Sequence, residues 1–287
     1  MKTIKSIFIF VVASLIATIL FVLIFANTGF GQDNKQRLVV PLSNPNKAGV
    51  LKVDMVSGSI SVTGYEGKEI IVEAAAREKV NSGCDDCPKK DKEPEKTGMT
   101  RIPNMNLGLE IIEDDNEVKV VSNSWNKAID LEIKVPYNFS VDLKTVNHGK
   151  ISVANVNGEL QASNTNGSIT LSDVSGSAIT NTVNGKILVS FKKVTPNTPM
   201  SFTSLNGSIE VSLPSDIKAT LKLKSDMGEM YSDFKMDLES KVETKESNNG
   251  KGTKISMGQW TYGKINGGGA EITFKNMHGN IYIKKGS

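Results

Sequence analysis

Cys84-Asp85-Asp86-Cys87 is the one constellation in this 287-residue chain whose spacing could carry chemistry. Three readings compete. A disulfide stapling a local loop is the simplest for two cysteines in an exported chain, and it is the expected one. A redox pair would call for a helix N-terminus to lower a thiol pKa, and no helical periodicity surrounds the motif. A metal site needs about four ligands, and a single CxxC supplies only part of that set. His148 and His278, the only histidines, stand directly before glycine where sibling segments carry Asn or Ser, so they read as turn residues. No Ser-His-Asp set and no carboxylate pair assembles at a common place. No catalytic residue, cofactor or metal ligand is therefore expected. Glu113-Asp114-Asp115-Asn116-Glu117 could attract calcium but reads more simply as a solvated turn. Asn166-Gly167-Ser168 and Asn206-Gly207-Ser208 have the form of a glycosylation acceptor, yet both fall at turns. Trp125, Trp260, Tyr231, Tyr262 and Tyr282 could form a sugar-stacking platform; separate aromatics filling core gaps are the plainer expectation.

The elements that must position these groups announce themselves by repetition. Glycines 149, 158, 167, 176 and 185 fall nine residues apart, and every second one follows a fuller Asn/His-Gly turn, giving a unit of 18. Each copy reads Gly, polar, apolar, polar, apolar: Gly149-Lys150-Ile151-Ser152-Val153 is one, and Gly185-Lys186-Ile187-Leu188-Val189 has the same inward positions. Side chains alternate across a strand, so Ile151 and Val153 should face in while Lys150 and Ser152 face solvent. The rule also fits copies starting at Gly58, Gly158, Gly167, Gly207 and Gly279, and fits Gly228 less well. Gly176 breaks it, with Ala178 and Thr180 at inward positions and Ile179 out of phase, so a bulge is expected there. The Asn-Gly corners are expected to exploit the positive φ that Gly adopts freely and Asn tolerates.

A repeat of this length indicates stacked units that bury their apolar edges against neighbours. The expected fold is all-β, a single-chain parallel β-solenoid following an N-terminal signal peptide or signal anchor. At ~4.8 Å per coil, about ten coils would rise about 50 Å. Asn-Gly turns are also strong hairpin signals, so a β-meander is the rival. Aromatics make up only 6% of residues, which suits thin Ile/Val/Leu/Ala layers.

The formal charge is +3, and Lys2 and Lys5 of the leader account for two of these charges. No basic face of the kind that binds nucleic acid is present. Residues 1–31 read as a signal peptide or an N-terminal membrane anchor, with an apolar run from Ile7 to Ala26 and Gly29-Phe30-Gly31 before Gln32. Residues 32–50 form an extended lead-in, 51–285 the solenoid, and 77–103 a polar loop inserted in it. The charged stretch 235–254 is expected to be a loop or irregular excursion.

Three features together resemble a bacterial envelope family of unknown function labelled "putative adhesin": the Gly-x-Ile-x-Val copies, Leu131-Glu132-Ile133-Lys134-Val135-Pro136, and Gly267-Gly268-Gly269-Ala270-Glu271-Ile272 before His278-Gly279-Asn280-Ile281. The resemblance covers roughly 50–285 and implies an exported β-solenoid with no established activity or ligand. The expected function is non-enzymatic: an adhesin, surface-presentation or scaffold module of the cell envelope, periplasmic, surface-bound or secreted, meeting an unknown protein or glycan and touching membrane only through its N-terminal segment. The alternative is an envelope-stress or regulatory protein bound by a membrane neighbour through an end coil or the 77–103 loop. A polysaccharide-active β-helix enzyme is disfavoured by the lack of an acidic cluster.

Overall fold

The structure, a computed structural model, describes residues 35–77, 107–122, 127–248 and 253–286. The leader, Cys84, Cys87 and Trp125 lie outside these residues. The described chain is all-β. Its strands are β1 (Lys35–Pro41), β2 (Gly49–Ser57), β3 (Ile60–Tyr65), β4 (Glu69–Ala76), β5 (Leu109–Asp114), β6 (Glu117–Ser122) and β7 (Ile129–Pro136). There follow β8 (Phe139–Asn147), β9 (Ile151–Ala154), β10 (Asn157–Asn166), β11 (Ile169–Asn184), β12 (Ile187–Val194), β13 (Met200–Asn206) and β14 (Ile209–Leu213). The last are β15 (Ala219–Ser225), β16 (Met230–Ser232), β17 (Leu238–Asn248), β18 (Thr253–Ile265), β19 (Ala270–His278) and β20 (Ile281–Lys285).

Two parallel ladders form the body. The first runs β6–β2–β8–β10–β11–β13–β19–β15. The second runs β7–β3–β9–β11–β12–β14–β20–β16. One strand of each makes a level, and β11 serves both by bending near Asp173, whose φ is 54°. Its register against β12 shifts between Leu171 and Ser175, upstream of Gly176 where the bulge was expected, while from Gly176 to Thr180 the pairing with β10 is continuous, with Ala178 and Thr180 buried and Ile179 exposed.

The levels do not follow chain order at the ends, and the pairing is not parallel throughout. The level β2/β3 lies between β6/β7 and β8/β9, and β19/β20 lies between β13/β14 and β15/β16. Residue types explain the exchange. Leu51, Val53, Ile60 and Val62, like Ile272, Phe274, Ile281 and Ile283, are apolar enough to need a neighbour on both sides and are 0–2% exposed. Met230-Tyr231-Ser232, by contrast, can tolerate the outermost place and is exposed. Antiparallel strands close three of the four ladder ends: β5 on β6, β4 and then β1 on β7, and β18 and then β17 on β15. The stretch expected to be irregular at 235–254 thus contains β17, and the lead-in contains β1. Among the described residues each ladder has eight parallel strands rather than ten coils, a rise of about 34 Å at ~4.8 Å per level.

The repeated phrase lands in columns. Leu131, Ile60, Ile151, Ile169, Ile187, Ile209, Ile281 and Met230 occupy one register position of the second ladder. In the first ladder one column reads Val53, Leu143, Ala162, Thr180, Phe202, Phe274 and Leu223. Phe202 and Phe274 stack at 5.1 Å, and Phe191 meets Phe202 edge-on at 6.5 Å. In the second ladder, stacking isoleucine on isoleucine keeps the layers alike in thickness, which lets the interlevel backbone bonds form at every step.

Candidate functional site

The repeat glycines divide between two corners. Gly58, Gly149, Gly167, Gly185, Gly207, Gly279 and Gly228 line one, and Gly158 and Gly176 line the other. Only Gly58, Gly176, Gly207 and Gly279 of these have positive φ. Gly149, Gly167 and Gly185 are required for a different reason: a Cβ on each would stand 1.8–2.1 Å from the carbonyl oxygen of the glycine one level away. The corner packs backbone on backbone.

The asparagines differ from expectation in the same way. Asn147, Asn166, Asn184 and Asn206 are not among the positive-φ residues, whereas His148 is, at 58°. Their amides instead bond to one another up the stack: Asn166 donates to Asn147 (2.9 Å), Asn184 to Asn166 (2.8 Å) and Asn206 to Asn184 (2.8 Å). A second ladder is buried behind the glycines. Thr145 donates to the Gly58 carbonyl, Asn164 to Gly149, Thr182 to Gly167, Ser204 to Gly185 and Asn276 to Gly207, at 2.8–3.1 Å. These side chains satisfy carbonyls that the tight corner removes from water.

A family model described as Toastrack DUF4097 matches residues 23–284. The chain belongs to this family. Two solved structures resemble the Toastrack chain over 88% of its length. One is a "putative cell adhesion protein" from Clostridium sporogenes, 14% identical, 99% covered, TM-score 0.43. The other is a "putative adhesin" from Bacteroides fragilis, 10% identical, 96% covered, TM-score 0.36. Comparison with curated proteins returns no match.

Where described, the candidate chemical groups of the Toastrack chain bond to neighbouring levels of the fold. His148 Nδ1 lies 3.3 Å from Ser57 Oγ, a pairing across levels that the sequence does not reveal. Asp130 does not complete a triad: Arg77 holds both its oxygens, and Ser59 N–H donates to Oδ1. Arg77 also donates to the His148 carbonyl and to Ser59 Oγ, clamping three levels at this corner. His278 stands beside Asn206 in register, at the far end of the amide stack. The acidic turn is a hairpin tip with Asp115 and Asn116 at φ 46° and 65°. Glu113 accepts bonds from the backbone N–H groups of Ser43 and Asn116 and from Ser43 Oγ, which hold its carboxyl below the usual carboxylate range. Among the described residues no three His, Cys, Asp or Glu side chains gather as a metal site would.

The aromatics are neither one platform nor isolated fillers. Tyr231 and Tyr282 stack face to face at 5.3 Å on the outside of the second ladder. The Tyr231 hydroxyl bonds Glu229, which raises its pKa, and Glu210 at 2.6 Å raises that of Lys284. Trp260 and Tyr262, on β18 beside the first ladder, lie under Lys222 at 4.6 and 5.6 Å.

One surface feature went unread in the sequence. Val56, Val146, Val183, Leu205 and Met277 are 39–44% exposed. They take the same outward position on neighbouring levels of the first ladder, with Thr165 in the same row between Val146 and Val183. Each precedes the Asn, Ser or His of its corner, so an apolar row runs beside the amide stack. The signal was available as the apolar residue before each corner, at a position the alternation assigns to solvent.

Proposed function

We propose that this Toastrack chain is a non-enzymatic, exported β-solenoid, an adhesin or surface-presentation module of the bacterial envelope. The observation that carries the reading is the row of exposed apolar side chains running beside the Asn147–Asn206 amide stack. Exposed apolar groups aligned in a row, here broken only by Thr165, mark contact surfaces more often than scattered ones do. Repetition at ~4.8 Å turns one weak contact into many, so affinity grows with the number of levels engaged. The partner is a protein or glycan surface presenting apolar and hydrogen-bonding groups along an extended line. Export is read from the Lys2/Lys5 leader and its apolar run.

The test is a binding screen of the full chain against host matrix proteins, glycans and envelope extracts. A ligand is expected whose binding falls at least tenfold when Val183 and Leu205 are both changed to Asp, with the melting temperature little changed. An empty screen, or a ligand indifferent to that pair, contradicts the reading.

A further inference from the structure

The four ladder ends are not treated alike. The edge strand β1 carries Lys35, Arg37 and Pro41; β5 carries Glu110, Glu113 and Asp114; β17 carries Glu239 and Lys241. Charges and proline are what edges carry when further pairing is to be prevented. The fourth end, β16, is Met-Tyr-Ser, uncharged. Among the described residues it pairs with β20 alone.

Its backbone faces outward in a usable way. Glu229 O accepts from Ile281 N and Asp233 N donates to Ile283 O, so 229, 231 and 233 turn their groups toward β20. In a parallel ladder alternate residues serve opposite neighbours. Met230 and Ser232 therefore direct their N–H and C=O groups away from the stack. Met230 is 38% exposed, in the register column that isoleucine fills on Ile60, Ile151, Ile169, Ile187, Ile209 and Ile281, and Ser232 ends the Val/Leu/Ile column beside it. Tyr231 rests on Tyr282 and is 48% exposed.

We infer that β16 is a docking edge that accepts an extended segment of a partner polypeptide as a ninth strand of the second ladder. The segment's chemistry follows from the register: aliphatic residues opposite Met230 and Ser232, an aromatic opposite Tyr231, and Lys or Arg opposite Glu229 and Asp233. A second copy is the poorer occupant. Antiparallel self-pairing centred on Tyr231 would set Glu229 against Asp233 at both ends, and like charges directly opposite destabilise a strand pair. Strand addition of this kind draws affinity from main-chain bonds and specificity from alternate side chains. The inference concerns the end of a ladder, not the apolar row, and stands or falls separately from it.

The probe is a fluorescein-labelled, amidated peptide, Thr-Lys-Ile-Tyr-Val-Lys-Thr, titrated onto the full chain by fluorescence anisotropy. Saturable binding is expected, at least tenfold weaker for a peptide with both Lys changed to Glu. Met230→Pro, which removes an outward N–H and the Met230 side chain from the edge while the bonds of Glu229 and Asp233 to β20 remain, should also weaken it at least tenfold, as should Ser232→Lys, which leaves pairing to β20 intact. Far-UV circular dichroism checks that both variants fold. Absence of binding, or binding that ignores both folded variants, overturns the inference. So does concentration-dependent dimerisation of the chain alone, in light scattering, that Ser232→Lys abolishes, because the edge then belongs to a second copy.

Discussion

Replacing Gly185 with Ala separates two accounts of the repeat glycines. If Gly185 served only as a turn residue, Ala would be harmless, because its φ is not positive. It would even stabilise by about 0.4–1 kcal/mol through the unfolded chain. The packed corner demands the opposite. A Cβ at 185 would stand 2.1 Å from Gly167 O, where ordinary contact begins at 3.4 Å, and the obstacle is backbone. Opening the corner by about 1.3 Å takes the Ile169 N to Lys186 O bond, now 2.9 Å, out of hydrogen-bonding range. The Thr182 bond to Gly167 O (3.0 Å) and the Asn184 bond to Asn166 (2.8 Å) stretch with it. At about 1 kcal/mol net each, the loss is about 3 kcal/mol, a large part of a typical 5–15 kcal/mol. Urea unfolding followed by circular dichroism should show the midpoint fall by about 1 M at an m-value of about 3 kcal/mol/M. A change under 1 kcal/mol, or a gain, refutes the backbone-packing argument.

Three further substitutions probe the same framework. Thr180 is 1% exposed and its hydroxyl has no partner among the described residues, so Thr180→Val should raise stability by about 1 kcal/mol in the same urea assay. Asn184→Asp removes the donor to Asn166 and sets a carboxylate against its carbonyl oxygen. The loss should be about 1 kcal/mol at neutral pH and shrink as acid restores a donor O–H, which paired melts at pH 4 and 7 would read. Glu113 has its carboxyl held low in the fold, so its contribution is present above the ordinary carboxylate range and is lost as pH falls through the folded pKa. Glu113→Gln should therefore flatten the acid limb of a stability-against-pH curve and leave the alkaline limb unchanged.

How much of this was legible in the sequence depends on whether a residue's partner is one level away or many residues distant. The Gly-x-Ile-x-Val alternation gave strand, face and column for Ile151, Ile169, Ile187 and Ile209, because pleat geometry is local. Ile179 pointed a few residues too far along: the register shift lies between Leu171 and Ser175, and Ile179 itself sits outward in regular alternation. The role of the asparagines was hidden: a local turn argument predicts positive φ, but the partner of Asn184 is an amide 18 residues back. The exchange of terminal levels was hidden as well, since it turns on which level best survives exposure, a comparison between Met230-Tyr231-Ser232 and Ile281-Tyr282-Ile283. The clamp of Arg77 on Asp130 and His148 spans 53 and 71 residues and leaves no periodic trace. The apolar row was visible as residue types but not as a row until register placed Val56 beside Val146.

The most direct test of the account is surface labelling of intact cells expressing the full chain, using a membrane-impermeant amine reagent followed by fractionation. The proposed role predicts labelled lysines on the outward faces, Lys144, Lys186 and Lys275 among them, without opening the cell. Labelling of those lysines only after the cytoplasm is breached would contradict it.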